Sequence, residues 1–272
     1  LALMAREGIA SAQPERWLGA GGTPTTDEEF QGEVRLSPSQ FERALACPLR
    51  WFLTTIGADG PSNAAASLGT LVHALAEENP HGSAQELTEA LEARIEELGY
   101  NLDTWAGRHS ERRAHAIVDN LASYIVGVPG RVDVEQMVEA QVEGVTIRGR
   151  MDRMEHVDEG VRVTDLKTGK SGYSAKTVPD NPQLAAYQMA LLATGQKVAG
   201  ARIALLGDKK PKTFDQKPLE GETLEEWRGK VREVAAIARG PYFQATPSED
   251  ACRYCSFDRL CPARERGRKV VE

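Results

Sequence analysis

The chain has 272 residues, 41% of them hydrophobic, enough for one large domain or two small ones around a buried core. Its 40 acidic residues outnumber the 33 basic ones, which argues against a general polyanion-coating protein but leaves room for a local basic groove. No apolar run approaches the roughly 20 residues of a membrane span, and residues 1–20 have no apolar core of signal-peptide length behind a basic start.

Residues 1–32 read as a linker or tail from a preceding domain, and residues 33–272 as the folded unit. A short helix over Leu1–Ile9 leads to Ala20-Gly21-Gly22-Thr23-Pro24-Thr25-Thr26, which is loop chemistry. The missing initiator Met is expected of an excised fragment. Ordered structure is expected from Val34. Ser37-Pro38-Ser39-Gln40 starts a helix, with Ser37 as N-cap, Pro38 at the first helical position and Gln40 closing a capping box. That helix runs to Cys47-Pro48, after which Leu49, Trp51, Phe52 and Leu53 form an apolar cluster that must bury. Leu68, Leu71, Val72 and Leu75 recur at helical spacing. Two more helices are expected over 83–98 and 104–126, Gly99 ending the first.

Strands then follow: Val134–Glu143, Val145–His156 and Val161–Lys167. The last two form a hairpin about Val157-Asp158-Glu159-Gly160. A long loop, Thr168–Pro182, precedes a helix over Gln183–Thr194. Val198–Leu206 reads as a strand, Lys209, Lys210 and Lys212 as a basic loop, and Thr223–Arg239 as a helix before a cysteine-rich end.

The chemistry concentrates between Gly149 and Gly169. Asp165 and Lys167 are two apart on a strand, so both side chains leave one face. Asp152, late in the partner strand, can join them. Two carboxylates and an ammonium resist burial unless they are paired or metal-bound, and a divalent cation between the carboxylates resolves the conflict. The bland alternative is a surface hairpin with an Asp–Lys pair. Gly169-Lys170-Ser171 is not a phosphate-binding loop of the Walker type, because the position five before Gly169 is Thr164. Cys252, Cys255 and Cys261 lie at short, metal-like spacing, with Cys47 far upstream. Disulfides are disfavoured without a secretory signal, while four thiolates suit either zinc or an iron–sulfur cluster.

Gly149-Arg150-Met151-Asp152-Arg153 followed by Asp165-Leu166-Lys167-Thr168-Gly169 resembles the catalytic core of RecB-type PD-(D/E)XK nucleases. Gly69-Thr70-Leu71-Val72-His73 resembles the family's G-T-x-x-H helix. Gln183-Leu184-Ala185-Ala186-Tyr187 resembles its Q-L-x-x-Y signature. Gly-Arg-Met stands before Asp152 where the family's name-giving Pro would be, as is usual in the RecB branch.

The resemblance implies an α/β, restriction-endonuclease-like core: a mixed central sheet flanked by helices, a helical N-terminal half and a C-terminal Cys-rich segment that binds a cluster. It implies DNA phosphodiester hydrolysis with Mg²⁺ or Mn²⁺ held by His73, Asp152, Asp165 and the main-chain carbonyl of Leu166. Lys167 would orient or deprotonate the attacking water, and Gln183 and Tyr187 would face the cleft. Arg150, Arg153, Lys170 and Lys176 would grip the strand backbone, and Glu139 is a further candidate one strand earlier. It also implies a [4Fe-4S] cluster on Cys47, Cys252, Cys255 and Cys261, the layout of AddB-type subunits and some CRISPR-associated nucleases. Trp17-Leu18-Gly19 resembles the junction after the helicase part of AdnA/AdnB- or AddB-like subunits. The implied setting is the bacterial cytoplasm, in double-strand-break repair, on single-stranded or unwound DNA ends, with a helicase domain in the same chain and a second helicase–nuclease subunit. A catalytically silent DNA-end scaffold and a stand-alone CRISPR-associated-type exonuclease are the alternatives.

Overall fold

A computed structural model describes residues 4, 6–10, 27–59, 68–170, 172–253 and 255–264. The expected helix over residues 1–9 lies partly outside these residues, and the Trp17-Leu18-Gly19 junction and the loop at 20–26 lie wholly outside them.

A six-stranded mixed sheet forms the centre. Strand β3 (Val145–Val157) pairs with three others: antiparallel β2 (Val132–Val142), antiparallel β4 (Gly160–Lys167) and parallel β1 (Val34–Leu36). Parallel β5 (Val198–Leu205) follows β4, and antiparallel β6 (Lys212–Gln216) ends the sheet. Of the basic residues expected in a loop, Lys209 and Lys210 lie in the β5–β6 turn, and Lys212 opens the edge strand. An edge strand tolerates such charge along its exposed side.

The helices cover both faces. Helices α1 (Pro38–Ala46), α2 (Pro48–Thr55), α6 (Pro182–Ala193) and α7 (Gly221–Arg239) build one core layer, in which Phe41, Trp51, Leu184 and Val231 meet Val145, Ile147 and Val163 of the sheet. Helices α3 (Leu68–Glu78), α4 (Ala84–Arg94) and α5 (Trp105–Val126) build the other, where Leu71, Leu75, Leu87 and Leu121 meet Leu166 and Ala204. Alternating residues of β4 thus feed opposite layers, as strand geometry requires. The C-terminal segment carries a short helix, α8 (Glu249–Arg253). No helix among the described residues is long and apolar enough to cross a membrane.

Local signals explain the elements that position the site. Ser37 and Gln40 form the expected reciprocal capping box at the start of α1. Asn181 caps α6 by accepting from Leu184 N at 2.8 Å, with Pro182 in the first turn. The long loop is shortened by this cap and by a 3-10 turn over Val178–Asp180. Glu143 and Gly144, with φ of 49° and 78°, make the two-residue turn joining β2 to β3, the positive-φ conformation that suits hairpin twist. Of the cluster after Cys47, Trp51 is fully buried while Leu49, Phe52 and Leu53 are half-buried.

Candidate active site

The sheet forks at the site. β3 and β4 pair from Val157↔Gly160 up to Arg153↔Thr164. Beyond that pair β4 stays with β5 as far as Lys167↔Leu205, while β3 continues with β2 and takes β1 on its vacated edge. Asp152 stands on one side of the fork and Asp165 on the other. The Asp152 carboxylate replaces the lost ladder partner: its Oδ2 accepts from Leu166 N at 2.8 Å. Lys167 O accepts from Leu206 N on the β5 side. Strand alternation then directs the Leu166 carbonyl into the fork with its N–H.

Asp165 and Lys167 do leave one face, with Lys167 Nζ 2.7 Å from Asp165 Oδ2. Gln183 Nε2 donates to Asp165 Oδ1 at 2.8 Å, and Gln183 Oε1 lies 3.4 Å from Lys167 Nζ. Burial pushes the Asp165 carboxyl up to about 6; the Lys167 charge opposes this and the Asp152 charge adds to it. For Lys167 burial works downward, but the Asp165 charge and hydrogen bond, with Tyr173 and Asp152, together outweigh it and hold the ammonium above its ordinary value. Asp165 Oδ2 is buried and, despite the nearby ammonium, takes no well-directed hydrogen bond among the described residues. A buried anionic oxygen without a directed donor fits a cation. Glu42 of α1 and Tyr173 lie within electrostatic range of Lys167 from the far side.

The residues His73, Glu135 and Asp152 can each offer a ligand atom within 4.8 Å of the other two. His73 reaches the site from α3, its Nδ1 3.3 Å from Asp152 Oδ1, and that contact, against burial, raises its pKa. One imidazole and two carboxylates suit a divalent ion of the manganese type, with carboxylates alone also serving magnesium. Glu135 was not singled out from sequence. It sits on β2 with φ of 52°, between the paired positions Val134↔Arg153 and Gln136↔Met151. Glu139, the residue proposed on this strand, pairs instead with Arg148 on the exposed surface.

Several expected roles change. Arg153 is not available to DNA: it is fully buried, donating from both terminal nitrogens to Pro80 O at 3.2 Å in the turn after α3. It faces the opposite layer from Met151 because strand alternation breaks at Asp152. Arg150 is half-exposed, but its guanidinium is committed to Glu135 and Glu77. Tyr187 does not open onto the cleft; it is buried and its hydroxyl donates to Arg150 O at 2.7 Å, so it fixes the backbone beside Asp152. Gly149 is required below it, since a Cβ there would stand 2.6 Å from Pro38 and 3.0 Å from Tyr187. Gln183 is buried and holds Asp165 and Lys167 rather than solvent. Lys170 and Lys176 are exposed.

All four cysteines are free and half-buried. Cys47 stands at the start of α2, and this helix meets the C-terminal segment: Leu49 N donates to Gln244 O at 3.2 Å, Arg50 to Ala251 O at 2.8 Å, and Phe52 stacks on Phe243 at 4.0 Å. A hydrogen bond from Arg264 lowers the pKa of the Cys252 thiol. Among the described residues, no three sulfurs gather as tightly as the His73 group.

The mixed sheet thus lies between helical layers and forks where Asp152 and Asp165 stand on its two sides, with Lys167 following. The chain belongs to the PD-(D/E)XK nuclease superfamily, whose family pattern matches residues 35–262. It is 26% identical to the Gene 69 protein of Mycobacterium phage D29, over 83% of this chain and 96% of that protein. Two solved structures are similar at 15% identity. One is SSO0001, with TM-score 0.43 and coverage of 86% of this chain and 89% of the other. The second is a Eubacterium rectale protein named as a candidate exonuclease, with TM-score 0.47 and coverage of 86% and 94%.

Proposed function

We propose that the protein is a deoxyribonuclease dependent on Mg²⁺ or Mn²⁺, acting on DNA ends during break processing. The observation that carries this is the fork: Asp152, Asp165 and Lys167 at its mouth, with His73 and Glu135 completing a donor set that fits a divalent cation. When bound there, such a cation would activate water and stabilise charge developing on the phosphate. His73, Glu135, Asp152 and Asp165 would hold it, with the Leu166 carbonyl directed to the same place. Lys167, as an ammonium, orients the attacking water and offsets the charge gathering on the phosphate oxygens. Gln183 keeps the Asp165 carboxylate and the Lys167 ammonium in register. Tyr187 holds the Arg150 carbonyl, and so the strand on which Asp152 sits.

The reading places the protein in the bacterial cytoplasm, where thiols stay reduced and free to bind metal. It includes a RecB-type [4Fe-4S] cluster on Cys47, Cys252, Cys255 and Cys261, supported by the contact of α2 with the C-terminal segment. Partnership with a helicase in the same chain, and with a second helicase–nuclease subunit, is one setting. A stand-alone exonuclease of the CRISPR-associated type is the alternative setting.

The deciding experiment is digestion of linear and nicked DNA with Mn²⁺, Mg²⁺ or chelator, using the wild type and Asp165→Ala. Metal-dependent cleavage lost in the variant, with the fold retained, supports an enzyme. DNA binding without cleavage under any metal would instead favour the silent scaffold.

A further inference from the structure

On the α5 side of the reaction centre lies a trough of about 450 Å³ lined by basic residues. His109, Arg112 and Arg113 come from α5, Lys170 from the loop after Lys167, and Lys209 from the β5–β6 turn. All five are exposed. Asp208 also lines it, but its carboxylate is paired with Lys212. In a chain with net charge −7, this is a local reversal of sign, of the kind that draws a polyanion to one place.

The trough is built against the catalytic strand. Arg113 donates to Thr168 O at 3.3 Å, one residue beyond Lys167. Asn120 of α5 donates to Leu206 O and Asp208 O at 2.8 and 2.9 Å. The β5–β6 turn lies so close to the loop after Lys167 that a Cβ on Gly207 would stand 2.1 Å from Gly169 O.

At its outer end stands Trp105, 70% exposed, the most open of the large apolar side chains on α5 apart from Val126 at the far terminus. Its ring stacks on His109, centroids 5.2 Å apart and planes within 11°. Residues 105, 109, 112, 113 and 116 recur at helical spacing, so aromatic and cationic groups share one face of α5. That face spans about 16 Å at 1.5 Å per residue.

Resting on the nuclease reading above, we propose that this face of α5, with Lys170 and Lys209, is a subsite for single-stranded DNA leading to the fork. The cations follow the phosphates and the Trp105–His109 pair stacks an unpaired base. Stacking needs a free π-face, which a single strand offers and an intact duplex keeps within its own stack. The subsite therefore selects strands that are already unwound or frayed.

The test is fluorescence anisotropy of a labelled oligothymidylate, and of a duplex of equal length, with chelator present so that binding is read without cleavage. Trp105→Ala should weaken single-strand binding by about 5-fold or more, and Trp105→Phe should restore most of it. Combined Arg112→Ala, Lys170→Ala and Lys209→Ala should reduce the slope of log K against log salt by about 2, at roughly 0.7 per phosphate contact. Trp105 is exposed, so its variants should melt with the wild type. Unchanged single-strand affinity in Trp105→Ala, an unchanged salt slope in the triple variant, or duplex bound as tightly and weakened equally by Trp105→Ala would each overturn the proposal. Failure of the wild type to cleave DNA with Mn²⁺ would count against the nuclease reading and leave this binding result separately readable.

Discussion

Glu135 and Asp152 face each other across the β2–β3 hairpin, each at a point where strand regularity breaks. Both lie seven residues from the Val142↔Val145 pair that closes the turn. The positive φ at Glu135 sets its carboxylate beside Asp152 and His73, and such backbone conformations in a side-chain-bearing residue cluster at functional sites. We expect Glu135→Gln to weaken Mn²⁺ binding by calorimetry and lower cleavage at limiting metal. Glu139→Gln, on the outer surface, should change neither. Equal effects from the two variants would remove Glu135 from the metal group.

Much of this was legible in the residues. The strand boundaries of the hairpin, the shared face of Asp165 and Lys167, and the cap at Ser37 follow from period and turn chemistry. Glu135 was within reach too: Glu143-Gly144 is a two-residue turn, and counting outward from it pairs Glu135 with Asp152. Arg153 was misread because a motif arginine beside a catalytic Asp looks exposed under simple alternation, and the break in alternation at Asp152 turns it inward. Tyr187 and Gln183 share a helix face as expected, yet what that face touches depends on how closely α6 lies on β3 and β4. The basic trough joins α5 to two loops far away in sequence, so no local pattern announces it.

Lys167 should act through its charge. Asp165 keeps it an ammonium, a poor proton acceptor. Lys167→Ala should retain Mn²⁺ affinity and lose about 10²–10³-fold in turnover, the usual cost of removing one preorganised charge-stabilising donor at the reacting centre. Collapse of metal affinity with normal turnover at saturating metal would contradict this role.

Metal binding should strengthen as pH rises through about 6. Burial raises the Asp165 carboxyl from its ordinary 3.8 to about 6, and Asp152 raises His73 above 6.5. Both groups must shed protons to bind a cation. Raised values also mean that their contribution to stability without metal is present at low pH and fades as pH climbs through the folded-state values. Mn²⁺ should therefore raise the melting temperature more at pH 8 than at pH 5.5. An equal shift at both would exclude these two groups as the titrating ligands.

Arg153 should matter to the fold and not to DNA contact. Its side chain is completely buried between Pro80 O and Glu155, whose carboxylate is also held by Arg162. Arg153→Met removes one partner of a buried charge network, which costs on the order of 3 kcal/mol. Chemical denaturation should show that loss, while the salt slope of DNA binding stays unchanged. A stable variant with a shallower slope would restore the expectation that Arg153 grips a phosphate.

The cysteine set, finally, should work as a staple. Cys47 precedes the sheet's catalytic strands and the other three cysteines follow them, so one cluster closes a loop of roughly 200 residues, where a cross-link has in principle most to contribute. The segment it would tie down has few apolar anchors of its own. Phe243 stacks on Phe52 and Phe257 is buried, but Tyr242 and Leu260 are exposed. The purified protein should be brown, with broad visible absorbance bleached by dithionite and iron and sulfide each at about four per chain. Cys255→Ser should lower the melting temperature and open the segment after Pro241 to protease. Loss of cleavage in that variant would follow from loosening of α2 beside α1 and the sheet, since phosphodiester hydrolysis moves no electrons. A colourless protein with one zinc per chain would replace the cluster but keep the staple, whereas a fully stable, protease-resistant Cys255→Ser protein would remove the staple as well.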